Sequence, residues 1–116
     1  MKIEINQTAL QSFRELSLPS TISISRTSVT FNNTAKKLLG LENGSKFVFE
    51  FEDGKLYYKD SSKDGFVIAG IMEKMVTIQL SGIGNYIDTF FKKGITTKKF
   101  TIGEFKDGRR PLYLIS

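Results

Sequence analysis

The 116-residue chain contains no Cys, no His and no Trp, and only two Pro. Without Cys there is no disulfide framework, no Cys-ligated zinc and no thiol nucleophile. Without His the commonest general base and the commonest transition-metal ligand are missing. No apolar run approaches the roughly 20 residues that span a bilayer. The N-terminal stretch, residues 1–13, lacks the apolar core of a signal peptide. These absences point to a cytoplasmic protein with no membrane partner. What is present is ordinary for a globular domain: 40% hydrophobic and 25% charged residues, enough apolar surface to offset chain entropy.

Charge is unevenly placed. The chain carries 17 basic and 12 acidic side chains, a net of +5. Residues 1–74 hold 10 basic and 9 acidic groups, whereas residues 75–116 hold 7 and 3. The C-terminal part is therefore the electropositive part, which suits an anionic partner; added solubility is the alternative reading of the same excess.

Two segments follow one order. Lys46-Phe47, Glu50-Phe51, Asp53-Gly54 and Leu56-Tyr57 are matched by Lys99-Phe100, Glu104-Phe105, Asp107-Gly108 and Leu112-Tyr113. In each, alternating apolar residues give the period of a strand, and Asp-Gly supplies a tight hairpin turn. The second copy has one residue more near Gly103, which predicts a β-bulge there. It also has a longer turn, Lys106 to Pro111, expected to project from the sheet. Upstream, Ser28–Phe31 and Met75–Ile78 read as strands, each followed by a helix. The first helix covers Asn33–Leu39, capped by Asn33 or Thr34 and stopped by Gly40. The second runs from about Gly84 to Lys93, with Ser81 as a cap. It aligns Ile83, Tyr86, Ile87, Phe90 and Phe91 in one stripe expected to be buried.

The expected fold class is α+β, a β-rich single domain built from two tandem βαββ repeats. The repeats span 21–60 and 75–116, after an N-terminal segment 1–20 and around a connecting turn and strand 61–74. The connecting strand is expected over Phe66–Ile71 and a further strand over Thr21–Arg26. In the N-terminal segment a short strand is expected at 2–5 and a short helix at 8–16.

The stretch from Ile22 to Phe51 resembles the AbrB-like swapped-hairpin family of transition-state regulators, MazE-type antitoxins and MraZ. The resemblance rests on paired apolar strand residues (Ile22, Ile24, Val29, Phe31), a short helix ending at Leu39, Gly40-Leu41, a turn at Gly44, and Phe47 and Phe49. It implies a DNA-binding role with basic side chains from the first hairpin loop, where this chain has Arg26. The family's Pro after the second strand is Asn32 here, and its Gly-Asp after the helix is Gly44-Ser45.

No motif for catalysis, cofactor or metal is found. Leu39 to Gly44 lacks the Gly-Lys-Ser/Thr of a phosphate-binding loop, and Gly82-Ile83-Gly84 lacks a third glycine. Glu50 and Glu52 lie on one strand face, the usual place for solvated carboxylates opposite apolar neighbours. Four basic pairs remain: Lys36-Lys37, Lys92-Lys93, Lys98-Lys99 and Arg109-Arg110. Lysines ending a helix favour its dipole, which accounts for Lys92-Lys93 structurally. The candidate phosphate contacts are Arg26, Lys36, Lys37, Lys98, Lys99, Arg109 and Arg110, since ammonium and guanidinium groups neutralise phosphates. Tyr57, Tyr58 and Tyr113 are placed either to stack on bases or to cover the core. The sequence therefore points to a small non-enzymatic nucleic-acid-binding protein, regulatory or accessory. The alternative is a protein-interaction or structural assembly module, homo-oligomeric or partnered, such as an accessory subunit of a phage or mobile element.

Overall fold

Short alternating segments joined by polar turns pair locally first, and the turns dictate how. A computed structural model describes residues 2–10, 19–61, 63–72, 75–91 and 98–115. Among them run β1 (Thr21–Ile24), β2 (Ser28–Asn32), α1 (Asn33–Leu39), β3 (Lys46–Glu52) and β4 (Lys55–Asp60). After these come β5 (Phe66–Val67), β6 (Met75–Gln79), α2 (Ile83–Phe91), β7 (Lys98–Ile102) and β8 (Arg110–Leu114). The result is a small β-rich α+β domain whose strands form one curled antiparallel sheet in the order β5-β3-β4-β8-β7-β1-β2-β6.

Both Asp-Gly pairs make two-residue turns with positive φ at each residue: 51° and 78° at Asp53-Gly54, 55° and 82° at Asp107-Gly108. Asp and Gly are the residues that reach this left-handed region cheaply. The first turn joins Glu52 directly to Lys55. The second is closed by the bridge Lys106–Arg109, so the expected long projecting turn is instead a tight one. Ile102 pairs with Leu112, which leaves residues 103–105 facing 110–111, one residue extra on the β7 side.

Alternation then decides the core. Ile22, Ile24, Val29, Phe31, Phe47, Leu56, Val76, Phe100 and Leu112 all point inward and are buried. Phe47 sits among Phe31, Phe49, Tyr58 and Phe66, with ring centroids 5.4 to 5.5 Å away. The helix α1 packs on β1, β2 and β6. Its cap is Asn32, one residue before the expected Asn33: the Asn32 Oδ1 accepts from Ala35 N at 2.8 Å. The same oxygen accepts from Thr21 N at 3.1 Å, and Nδ2 donates to the Pro19 carbonyl at 2.8 Å. One side chain thereby caps a helix and anchors the start of β1.

Several boundaries differ from expectation. Residues 2–5 form no strand, and Ile3 and Ile5 are exposed; with no neighbouring strand, alternation alone does not make one. A helical turn at 7–10 begins instead from Asn6, whose Oδ1 accepts from Ala9 N at 2.9 Å. The rest of that expected helix lies outside the described residues. The connecting strand shortens to Phe66–Val67. In α2 only Ile83 and Ile87 of the apolar stripe are deeply buried, while Tyr86 is 63% and Phe90 38% exposed. A stripe spanning two helical turns is wider than the contact a curled sheet offers it. Lys92, Lys93 and Gly94 lie outside the described residues.

Candidate functional site

Inward burial of alternate residues forces the others outward, so composition of the outer face follows from register. On the side of β7, β1, β2 and β6 opposite the core lie Lys99 and Thr101, Ser23 with the buried Thr21, Ser28, Thr30 and Asn32, and Met75, Thr77 and Gln79. None is acidic. Register aligns Lys99, Ser23, Thr30 and Thr77 in one row, and the Thr30 and Thr77 hydroxyls meet at 3.2 Å. An open hollow of about 300 Å³ on this face is lined by Pro19, Thr21, Ser23, Thr30, Asn32 and Lys99.

Arg26 stands at one end of this face, in the turn between β1 and β2. Because Ser23 pairs with Lys99, the two cations lie within roughly 10 Å along the strand axis. The turn is held rigidly. Ser25 and Ser28 hydroxyls are 2.7 Å apart, Leu80 N donates to the Thr27 carbonyl at 2.6 Å, and Gly84 N donates to the Arg26 carbonyl at 3.2 Å. Gly84 is required by that approach, since a Cβ there would sit 2.4 Å from the Ser25 carbonyl oxygen. Both Arg26 and Lys99 are exposed.

The other nominated cations have internal partners. Lys98 points inward, only 2% exposed, and pairs with Asp88 of α2; burial lowers its pKa from the ordinary lysine value. It is not presented to a surface ligand. Arg109 donates to Glu50 Oε1 at 3.1 Å and Glu52 Oε1 at 2.6 Å, with its guanidinium 3.7 Å from the Tyr57 ring centroid. The Glu52 hydrogen bond is the leading cause raising its pKa. Arg110 donates to the Gly103 carbonyl at 3.1 Å. Lys36 donates to the Met72 carbonyl at 3.0 Å, and Lys37 is exposed on α1. Arg109 and Arg110, expected as phosphate contacts in a projecting turn, are instead engaged within the fold, where both side chains hold strands together. Lys98 and Lys99 are adjacent within β7, so the strand period turns them to opposite sides, one into the core and one to the surface.

The neighbouring face, over β3, β4 and β8, has a different character. A cleft of about 720 Å³ is lined by Lys55, Tyr57, Gly103, Glu104, Phe105, Lys106, Asp107, Arg109, Pro111 and Tyr113. Phe105 and Tyr113 are 63% and 52% exposed. Charges of both signs share the cleft. Of the tyrosines nominated for stacking, Tyr58 is buried, its ring stacked on Phe47 and its hydroxyl donating to Asp60 at 3.3 Å. Burial, reinforced by Asp60, raises its pKa well above the ordinary 10.0.

Sequence reasoning missed the hydroxyl row, because isolated Ser and Thr carry no motif. The usable signal was their strict alternation with Ile22, Ile24, Val29 and Phe31. It also missed Asp88 and Asn32, whose partners are remote in sequence. No family model, no curated protein and no solved structure matches the chain. No helix among the described residues is long and apolar enough to cross a membrane.

Proposed function

We propose that the protein is a small non-enzymatic nucleic-acid-binding protein that receives a phosphate backbone on the outer face of β7, β1, β2 and β6. The observation that carries this reading is the absence of any carboxylate among the outward residues of those four strands, beside Lys99 and Arg26. Serine, threonine and asparagine side chains hydrogen-bond phosphate oxygens, and cations release bound counterions on contact. The net charge of +5 favours the same partner. The test is a salt titration of binding to labelled DNA and RNA by fluorescence anisotropy. Wild type should lose affinity steeply with salt, and the pair Arg26→Ala, Lys99→Ala should flatten the log–log slope by about two units. Absence of salt-sensitive binding defeats this reading.

In that event a second reading stands, a protein-interaction or assembly module using the cleft over β4 and β8. Its exposed aromatics, Phe105 and Tyr113, are of the residue types enriched at protein interface centres.

We also infer that the chain consists of two βαββ repeats. Support comes from the matched φ values of the two Asp-Gly turns. It comes as well from the antiparallel pairing of β2 with β6 and of β4 with β8. Where a two-fold axis passes between equivalent strands of a sheet, those strands meet antiparallel in this way.

A further inference from the structure

The sheet ends at β5 on one side, but β5 is much shorter than β3, the strand it borders. It pairs with Lys46 and Phe47 and with no later residue of β3. At Asp64, with φ 48°, the chain is no longer extended, and the ladder has stopped. The remaining edge of β3, from Val48 to Glu52, has no second strand beside it among the described residues. We propose that this edge takes an extended segment of a partner protein as an added strand, with apolar residues alternating with basic ones.

Register identifies the open backbone groups. The two-residue turn at Asp53-Gly54 has positive φ at both positions, so Glu52 and Lys55 form a hydrogen-bonded pair. Bonded and non-bonded pairs alternate from there. Val48, Glu50 and Glu52 therefore bond β4, while Phe47, Phe49 and Phe51 turn N–H and C=O the other way. Two bonds fix the same phase: Ser61 N donates to the Lys46 carbonyl at 3.0 Å, and beside β5 Ile68 N donates to the Ser45 carbonyl at 2.7 Å. Phe47 is met by Phe66. No backbone group among the described residues bonds what Phe49 and Phe51 turn outward. Such an edge is a template for another strand, and proteins usually guard it with Pro, Lys, a bulge or an inward charge. Phe47 to Phe51 contains neither Pro nor Lys, its one charge, Glu50, points away from the core, and its ladder with β4 is unbroken.

The two sides of the edge define the occupant. An added strand alternates its side chains between the faces of the sheet. On the core side lies a hollow of about 190 Å³, lined chiefly by Phe49, Phe51, Phe66, Ile83 and Ile87. An apolar cavity of roughly 150 Å³ takes one benzene, so this one takes a single apolar side chain. On the other side stand Glu50 and Glu52, the latter 59% exposed. A second copy of this chain fits less well. The antiparallel register that uses both Phe49 and Phe51 sets Glu50 directly opposite Glu50 of that copy, and like charges so placed destabilise the pair. Lys or Arg at those positions reverses the sign.

The experiment is amide hydrogen exchange of the full chain, read by NMR. In the free protein the amides of Phe49 and Phe51 should exchange fast and those of Val48 and Glu50 slowly. The probe is a hexapeptide of alternating Val and Lys, acetylated and amidated at its ends. At about ten times its Kd it should slow exchange at Phe49 and Phe51 about tenfold. The same peptide with N-methylated valines, which lack the N–H groups that meet β3, should leave both amides fast. A hexapeptide of alternating Val and Glu should bind about fivefold more weakly. A lysine peptide that leaves both amides fast overturns the proposal, as does protection by the N-methylated peptide or equal affinity for the glutamate one. Slow exchange at Phe49 and Phe51 without peptide also overturns it: independent of protein concentration it means a closed edge, and growing with concentration it means a second copy.

Discussion

The segments β2-α1-β3-β4 and β6-α2-β7-β8 use the same order of elements but hold them together by different physics. In the first, an aromatic cluster gathers around Phe47, and a side-chain cap, Asn32, starts the helix. In the second, Phe100 meets one ring, Phe91, at 5.9 Å among aliphatic neighbours. There the helix start is fixed by backbone approach at Gly84, and an ion pair, Lys98 with Asp88, links β7 to α2. The hairpins differ likewise. The ladder of β3 and β4 runs unbroken to its turn, whereas that of β7 and β8 is interrupted by the extra residue between Ile102 and Lys106. Arg109, paired with Lys106 at the turn beyond that interruption, reaches across to Glu50 and Glu52 and ties one hairpin to the other. A common pattern of strands and turns thus leaves the choice of stabilising contacts open.

The largest effect that separates the two segments should come from the core. Phe47→Ala and Phe100→Ala each remove a fully buried ring and should cost about 3–5 kcal/mol by denaturant unfolding. Phe47→Ala should lie at the upper end, since its aromatic pairs add to the burial term. Equal losses would mean that the aromatic cluster adds nothing beyond area. Next, the two helix starts should respond differently. Gly84→Ala drives a Cβ against the Ser25 and Arg26 backbone, and should cost about 1–3 kcal/mol through forced displacement. Asn32→Ala removes a cap and should cost about 1 kcal/mol. A Gly84→Ala protein as stable as wild type would show that the turn yields freely.

The smallest effect concerns alkaline pH, where the segments oppose one another. Tyr58, in β4, is held protonated in the fold above its ordinary 10.0, while the unfolded chain releases that proton. Stability is therefore lost as pH rises past about 10. Lys98, in β7, has its pKa lowered by burial below the ordinary 10.5. The unfolded chain then binds more protons just below that value, and stability rises with pH there. Tyr58→Phe should abolish the fall and Lys98→Met the rise, both measurable as the midpoint of urea unfolding against pH.

Local pattern by itself determined a good deal of this protein. The strands at 28–32, 46–52, 55–60, 75–79 and 98–102, the helix ending before Gly40 and both Asp-Gly turns follow from alternation, capping and turn chemistry. So did the extra residue near Gly103. These depend on residues within a few positions of one another, where covalent geometry limits the choices. The candidate site was legible only in part. Arg26 and Lys99 were nominated, but so were Lys98 and Arg109, which tertiary partners claim. The reason is physical. A charge is identified by its chain position, whereas its availability depends on what the neighbouring strand brings opposite it. That neighbour is chosen by long-range pairing: β1 beside β7, β2 beside β6, β4 beside β8. Alternation tells which residues share a face, and only the assembled sheet decides which faces adjoin, which carboxylates lie within reach, and which cations are left for a ligand.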